Sequence, residues 1–207
     1  MHVLDTGPIF KFLATNCVDE LLRALGYGVI SVPSAVEFEI FDTPKRRPQF
    51  AKAPEAWKRL PERFKEVLSD KETEEMQQCC RQVFGRDLQE MYSEYKDRGE
   101  NMAILHGVRL AKAGHDVLIV CDDEAGTQLI RNQANRLAME CVRGKLKTAG
   151  RIRPVDTLTL LRWAIEEGGF NGDISVFLKK YAMMVELDEA LPRDIKATGL
   201  TRRPPWP

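Results

Sequence analysis

Acidic side chains stand in this chain wherever an apolar run stops and a helical pattern begins. Asp5 follows Val3-Leu4, Glu39 follows Val32-Pro33-Ser34-Ala35-Val36, Glu100 stands in Asp97-Arg98-Gly99-Glu100, and Asp122-Asp123 follow Val117-Leu118-Ile119-Val120-Cys121. In a parallel α/β sheet the loops at the carboxyl ends of neighbouring strands converge on one crevice, so these carboxylates are expected to share a site. Like charges that close raise one another's pKa unless a cation neutralises them. An all-oxygen cluster suits Mg²⁺ or Mn²⁺. The chemistry this supports is metal-dependent hydrolysis of a phosphodiester, in which divalent ions activate water and relieve charge on the phosphorus centre.

Asp5 and Asp122 each follow a buried strand that fixes their position, and are the expected direct or bridging ligands. Glu39 and Glu100, on helices and with longer stems, suit a further ligand or a water contact, with Asp123 as the adjacent candidate. Glu100 in a first helical turn is also favoured by the helix dipole. Each acid taken singly reads more readily as a helix cap or a solvated surface residue than as a ligand; their joint placement is what favours a metal site. The Thr6 hydroxyl either touches a metal-bound water or closes the turn. Glu37, two residues from Glu39, is expected at the surface.

The elements that must position these groups are short. His2 to Asp5 reads as a buried strand stopping at a turn, and Val29 to Val32 as a second strand, after which Pro33 can open a helix. Helices are expected over Ile9–Leu13 and Val18–Leu25. From Asp42 to Pro61 four prolines interleave with Lys45, Arg46, Arg47, Lys52, Lys58 and Arg59, which gives a basic loop or broken helix. Phe64–Leu68 fits a short strand and Met76 to Tyr95 follows helical spacing. His115–Cys121 is the clearest strand, apolar throughout as a strand covered on both faces should be. A helix from Ala125 to Cys141, a last strand over Ile152–Leu158, and helices over Leu160–Glu167 and Ile174–Leu187 follow. The proline-rich end, Thr201 to Pro207, is not expected to form packed secondary structure.

Composition narrows the setting. The chain has 207 residues, enough for one α/β domain with a helical extension, and 43% of them are hydrophobic, enough to bury a core. Lys+Arg and Asp+Glu are both 31, so attraction for nucleic acid has to come from local patches. Lys45-Arg46-Arg47 and the acid-free stretch with Arg143, Lys145, Lys147, Arg151 and Arg153 are the candidates for nucleic-acid phosphates, each weighed against a plain solvated face. Five cysteines lack the spacing that holds zinc. No segment reaches the roughly 20 apolar residues that span a bilayer, so no membrane partner is expected and the cytoplasm is the expected location. His106 and His115 read as structural. Trp57, Trp163 and Trp206 are isolated and give no stacking platform.

In Val3-Leu4-Asp5-Thr6-Gly7-Pro8-Ile9, Val32 to Ile40, Gly99-Glu100-Asn101-Met102-Ala103-Ile104 and Val117 to Gly126, the chain resembles the PIN-domain ribonucleases, including the toxins of VapC-type toxin–antitoxin pairs. The resemblance covers roughly residues 1–165, with a basic and helical insertion over about 42–97, and leaves 166–207 as a C-terminal helical extension and proline-rich tail. It implies a three-layer α/β/α fold with a central parallel sheet. It also implies Mg²⁺- or Mn²⁺-dependent cleavage of single-stranded or looped RNA, with Asp5, Glu39, Glu100 and Asp122 matching the acidic set. A small antitoxin protein and a homodimer are the partners it suggests. The chain departs from the pattern at Met102, where an acid is common, and at Thr127, where an arginine is common. Two alternatives stay open: a PIN-fold module without catalysis that binds RNA or protein, and a structure-specific DNA nuclease.

Overall fold

Five short parallel strands carry the molecule. The structure is a computed structural model and describes residues 1–93, 97–202 and 206. The strands are β1 (His2–Leu4), β2 (Ile30–Pro33), β3 (Lys65–Leu68), β4 (Val117–Val120) and β5 (Ile152–Val155). They lie in the order β3-β2-β1-β4-β5, so β1 is central, and the sequence steps outward on one side before crossing to the other. Leu4 pairs with Val120 and Val3 with both Ile119 and Ser31, which brings the carboxyl ends of β1, β2 and β4 level.

Side chains alternate across a strand, and here the alternation divides the core in two. Leu4, Ile30, Val32, Val120 and Val155 face one apolar layer. It includes α1 (Thr6–Ala14), α2 (Val18–Ala24), α4 (Ala53–Arg59), α9 (Thr157–Glu166) and α10 (Ile174–Leu187). Val3, Val117, Ile119 and Ile152 face the other, formed by α5 (Glu74–Phe84), α6 (Leu88–Ser93), α7 (Arg98–Lys112) and α8 (Glu124–Val142). Helix α3 (Ser34–Arg46) crosses the carboxyl edge, with Ala35 in one layer and Val36 and Ile40 in the other. The protein is therefore α/β, a five-stranded parallel sheet between helices, and among the described residues no helix is long and apolar enough to cross a membrane.

Several elements differ in extent from the sequence reading. Pro33 closes β2 instead of opening α3, and α3 continues through Pro44 to Arg46 before a single 3-10 turn and α4 complete the broken helix. The run expected as one helix from Met76 splits into α5 and α6 because Gly85 takes a left-handed conformation (φ 70°) that ends the first. Its expected end, Tyr95, lies outside the described residues, as do Arg203, Pro204, Pro205 and Pro207 of the tail. Strand β5 stops at Val155 because Asp156 caps α9 through the Thr159 N–H. In the C-terminal extension, Phe170, Phe177, Tyr181, Met184, Leu191 and Leu200 join the same apolar layer as β1 and α1. Trp206, read from sequence as isolated, stacks on Phe177 with ring centroids 5.5 Å apart and donates to the Leu200 carbonyl.

Candidate metal centre

Three helix N-termini and two strand ends meet above β1 and β4. The Asp5 N–H donates to the Val120 carbonyl at 3.0 Å, and the Asp5 carboxylate caps α1 by accepting the Thr6 N–H at 2.5 Å. Glu100 stands in the first turn of α7, and Asp123 caps α8 by accepting the Gly126 N–H at 2.9 Å. Partial positive charge at these helix ends offsets some of the local negative charge.

Two glycines let the ends come this close. A β-carbon on Gly99 would collide with the Thr6 hydroxyl, and one on Gly126 would lie 2.6 Å from Glu100 Oε1 and 2.8 Å from Cys121 Sγ. The Glu100 carboxylate ends a flexible side chain and can swing aside, whereas the sulfur of buried Cys121 has a single torsion with which to yield. Gly126→Ala is expected to fold, because the helix-forming advantage of alanine, up to about 1 kcal/mol, offsets part of the cost of moving that sulfur. It is also expected to push the Glu100 carboxylate aside and weaken Mn²⁺ binding by at least about tenfold, a scale seen when the support of a metal ligand is disturbed. Calorimetric titration with Mn²⁺ checks this; unchanged affinity would mean that Glu100 does not hold the ion.

The oxygens of Asp5 and Glu100 and the Cys121 sulfur lie within 4.8 Å of one another, a group able to hold a metal ion. Burial pushes the Asp5 carboxyl up to about 7; the Thr6 N–H pulls it back in part, while the charges of Glu100, Glu39 and Asp122 push it further. Glu100 is raised by burial and then by Asp123. Burial, followed by the charges of Glu100 and Asp5, also raises the Cys121 thiol, so the donors available near neutral pH are two carboxylates beside a protonated sulfur. That set fits a hard divalent cation better than a soft one.

Glu39 and Asp122 stand outside this group among the described residues. Burial raises Glu39, partly offset by the nearby Thr6 hydroxyl and by Arg98 and Arg46. The Thr6 hydroxyl oxygen is buried close to Glu39 yet completes no hydrogen bond of ordinary geometry. It is a buried polar atom still wanting a partner, which leaves it placed to meet a metal-bound water.

Asp122, expected as a direct or bridging ligand, has both carboxylate oxygens engaged by protein groups. Its Oδ1 accepts the Thr157 N–H at 2.7 Å, and its Oδ2 accepts the Thr157 hydroxyl at 2.6 Å and the Lys11 ammonium at 2.6 Å. Lys11 is fully buried and also ion-paired with Asp188, at the end of α10. Burial alone would raise Asp188, but the hydrogen bond and charge of Lys11 outweigh it and hold that carboxyl below its ordinary value. Asp123 serves as the cap of α8.

A cleft of about 640 Å³ opens beside Asp5, Glu39 and Glu100, walled by Arg46, Arg98, Phe38 and Asp70. Sequence reasoning missed Asp70. Its Oδ2 accepts the Ala35 N–H at 2.6 Å, which supplies the cap that Pro33 cannot give α3, and its Oδ1 pairs with buried His106 of α7 at 2.8 Å. Asp70 thus locks together the two helices that carry Glu39 and Glu100.

The two basic stretches are in different places. Arg46 lines this cleft, and Arg47 lines a neighbouring one of about 1020 Å³ with Glu39 and Asp188. Lys45 and Arg46 are paired with Asp42. Arg143, Lys145, Lys147 and Arg151 precede β5, at the amino edge of the sheet, and the 19-residue α8, which rises about 28 Å at 1.5 Å per residue, runs between Asp123 and Arg143. Arg151 pairs with Asp116 at 2.8 Å, and Arg153 is an exposed position within β5. Met102 is fully buried in the apolar layer under α7, so it does not occupy a place in the acidic group. Glu37, expected at the surface, accepts the Trp57 indole N–H at 3.0 Å. Comparison with protein-family models, curated proteins and solved structures gives no match.

Proposed function

We propose that the protein is a metal-dependent endoribonuclease of the PIN type, cleaving RNA at the carboxyl edge of its sheet. The observation that carries this reading is the half-buried pair of Asp5 and Glu100 beside the strand ends, with the Asp5 carboxyl pushed up to about 7 by burial first and then by the charges of Glu100, Glu39 and Asp122. Clustered carboxylates held at that cost are a mark of a working site. Mg²⁺ or Mn²⁺ bound there would supply an activated water and relief of phosphate charge.

The chain's own residues set the rest. Asp5 and Glu100 would hold the cation, and the Thr6 hydroxyl and the Glu39 carboxylate, close to each other, would orient water beside it. Phe38, 57% exposed at the rim of the cleft, offers a face on which an unpaired base can stack. Arg46 and Arg98 meet the phosphates on either side of the scissile bond.

The direct test is incubation of labelled single-stranded RNA and DNA with purified protein in Mn²⁺, Mg²⁺ or EDTA. Metal-dependent cleavage of RNA and not DNA is expected; no cleavage of either strand would reject the nuclease reading. The placement of the arginines gives a second expectation. Arg46→Gln with Arg98→Gln should weaken RNA binding about tenfold or more at low salt and lower the salt slope by about one per charge removed. Changing Arg143, Lys145 and Lys147 to Gln should leave both quantities as they are. Binding measured by fluorescence anisotropy over a salt series distinguishes the two sets, and a reversed pattern would place the RNA path on the other edge of the sheet.

A further inference from the structure

We propose that Lys11 is a resident cation of the acidic site: its ammonium fills the Asp122–Asp188 half, so that the site accepts one divalent ion, at Asp5 and Glu100, and not two. This rests on the metal-dependent reading given above and concerns how that site is balanced.

Lys11 lies in the middle of α1, where every residue from Pro8 to Ala14 is buried, and its side chain has no exposure to solvent. A buried ammonium persists only when paired and hydrogen-bonded, and the two partners come from distant parts of the chain. Asp122 follows β4 and Asp188 ends α10. With the Thr157 N–H and hydroxyl also on Asp122, both oxygens of that carboxylate are engaged. Asp5 and Glu100 remain as the adjacent pair for one divalent cation, while Glu39 across the cleft is near Arg46 and Arg98 and Asp123 caps α8.

The two halves are adjacent. A β-carbon placed on Gly7 would lie 3.5 Å from Asp188 Oδ2, 3.8 Å from Lys11 Nζ and 3.9 Å from Asp5 Oδ2. Lys11 Nζ, Asp188 Oδ2 and Asp5 Oδ2 thus surround one point within 4 Å, so the ammonium holds the side of the site next to Asp5, on the carboxylates a second ion would need. Lys11 stands in the wall of the cleft of about 1020 Å³ with no exposure to solvent and its ammonium turned to two carboxylates; it is a positioning residue that fixes Asp122 and Asp188 and denies that place to a metal.

The experiment is a Mn²⁺ titration of the full chain followed by calorimetry and by electron paramagnetic resonance. Wild type is expected to take one equivalent and to give the hyperfine-resolved spectrum of an isolated ion. Lys11→Met keeps the length of the side chain and removes the charge. The freed carboxylates of Asp122 and Asp188, next to Asp5, should then admit a second equivalent, and the spectrum should broaden as two nearby ions couple. A coupled pair in wild type overturns the proposal, and so does a folded Met variant that stays at one equivalent. If the Met variant does not fold, the wild-type stoichiometry and spectrum still decide between one ion and two. Absence of any bound ion in wild type would instead remove the metal-dependent reading, and this proposal with it.

Discussion

Asp5→Asn is expected to abolish divalent-dependent cleavage while making the metal-free protein more stable at pH 8. The catalytic loss follows from removing the carboxylate nearest the strand end. A metal that contributes several kcal/mol to the transition state is worth about 10³-fold at ~1.4 kcal/mol per decade. The gain in stability follows from linkage. The unfolded carboxyl ionises near 3.8 and the folded one near 7. Between those values the folded state holds a proton that the unfolded state has released, so stability falls as pH rises through the interval and the full penalty is present above 7. Asparagine cannot ionise and still accepts the Thr6 N–H as a helix cap, so it escapes the penalty. A gain of a few kcal/mol is expected at pH 8, with ~4 kcal/mol as the ceiling, and little at pH 4. Thermal denaturation in EDTA at both pH values measures this. Undiminished cleavage by the variant would sink the assignment of Asp5 as a metal ligand, and equal stability at pH 8 would remove the charge crowding.

The second large effect is on metal affinity. Because the cation must displace the proton from Asp5, Mn²⁺ should bind with constant affinity above about pH 7 and about tenfold more weakly for each unit below it. Between pH 7 and pH 5 that amounts to about 100-fold, and the fall should steepen where Glu100, also raised by burial, takes up its own proton. Calorimetry in buffers of different ionisation enthalpy counts the protons released, and close to one per ion is expected at pH 6. Binding that is flat from pH 8 to pH 5 would show that Asp5 is not among the ligands.

Much of the frame was legible because it rests on local rules. Apolar runs ending in an acid located β1 and β4, and the parallel arrangement then required Asp5 and Asp122 to share an edge. What was not legible depended on contacts between distant segments. Lys11 reads as one charge among Ile9, Phe10, Phe12 and Leu13, and only burial of the whole helix turns it into a group that must find carboxylates. A lysine centred in an apolar run is itself a signal of that kind. Asp70 is hidden in the polar string Ser69-Asp70-Lys71-Glu72, where nothing local distinguishes the acid that caps α3 from its neighbours. The stretch from Arg143 to Arg153 is basic enough to suggest a substrate path, but charge carries no information about which edge of a sheet it will occupy. Met102 was weighed against an acid in the family's pattern, whereas its position on the inner face of α7 makes it a core residue.

The packing of α10 against α1 also orders events in time. During synthesis the acids at positions 5, 39, 100 and 122 all leave the ribosome before Asp188, and before Phe177 and Met184, which complete the apolar layer over α1. Until those residues emerge, the Lys11 ammonium has one of its two carboxylates and its helix is only partly covered. A nascent chain therefore holds an unfinished acidic group, which is completed only when α10 docks on α1.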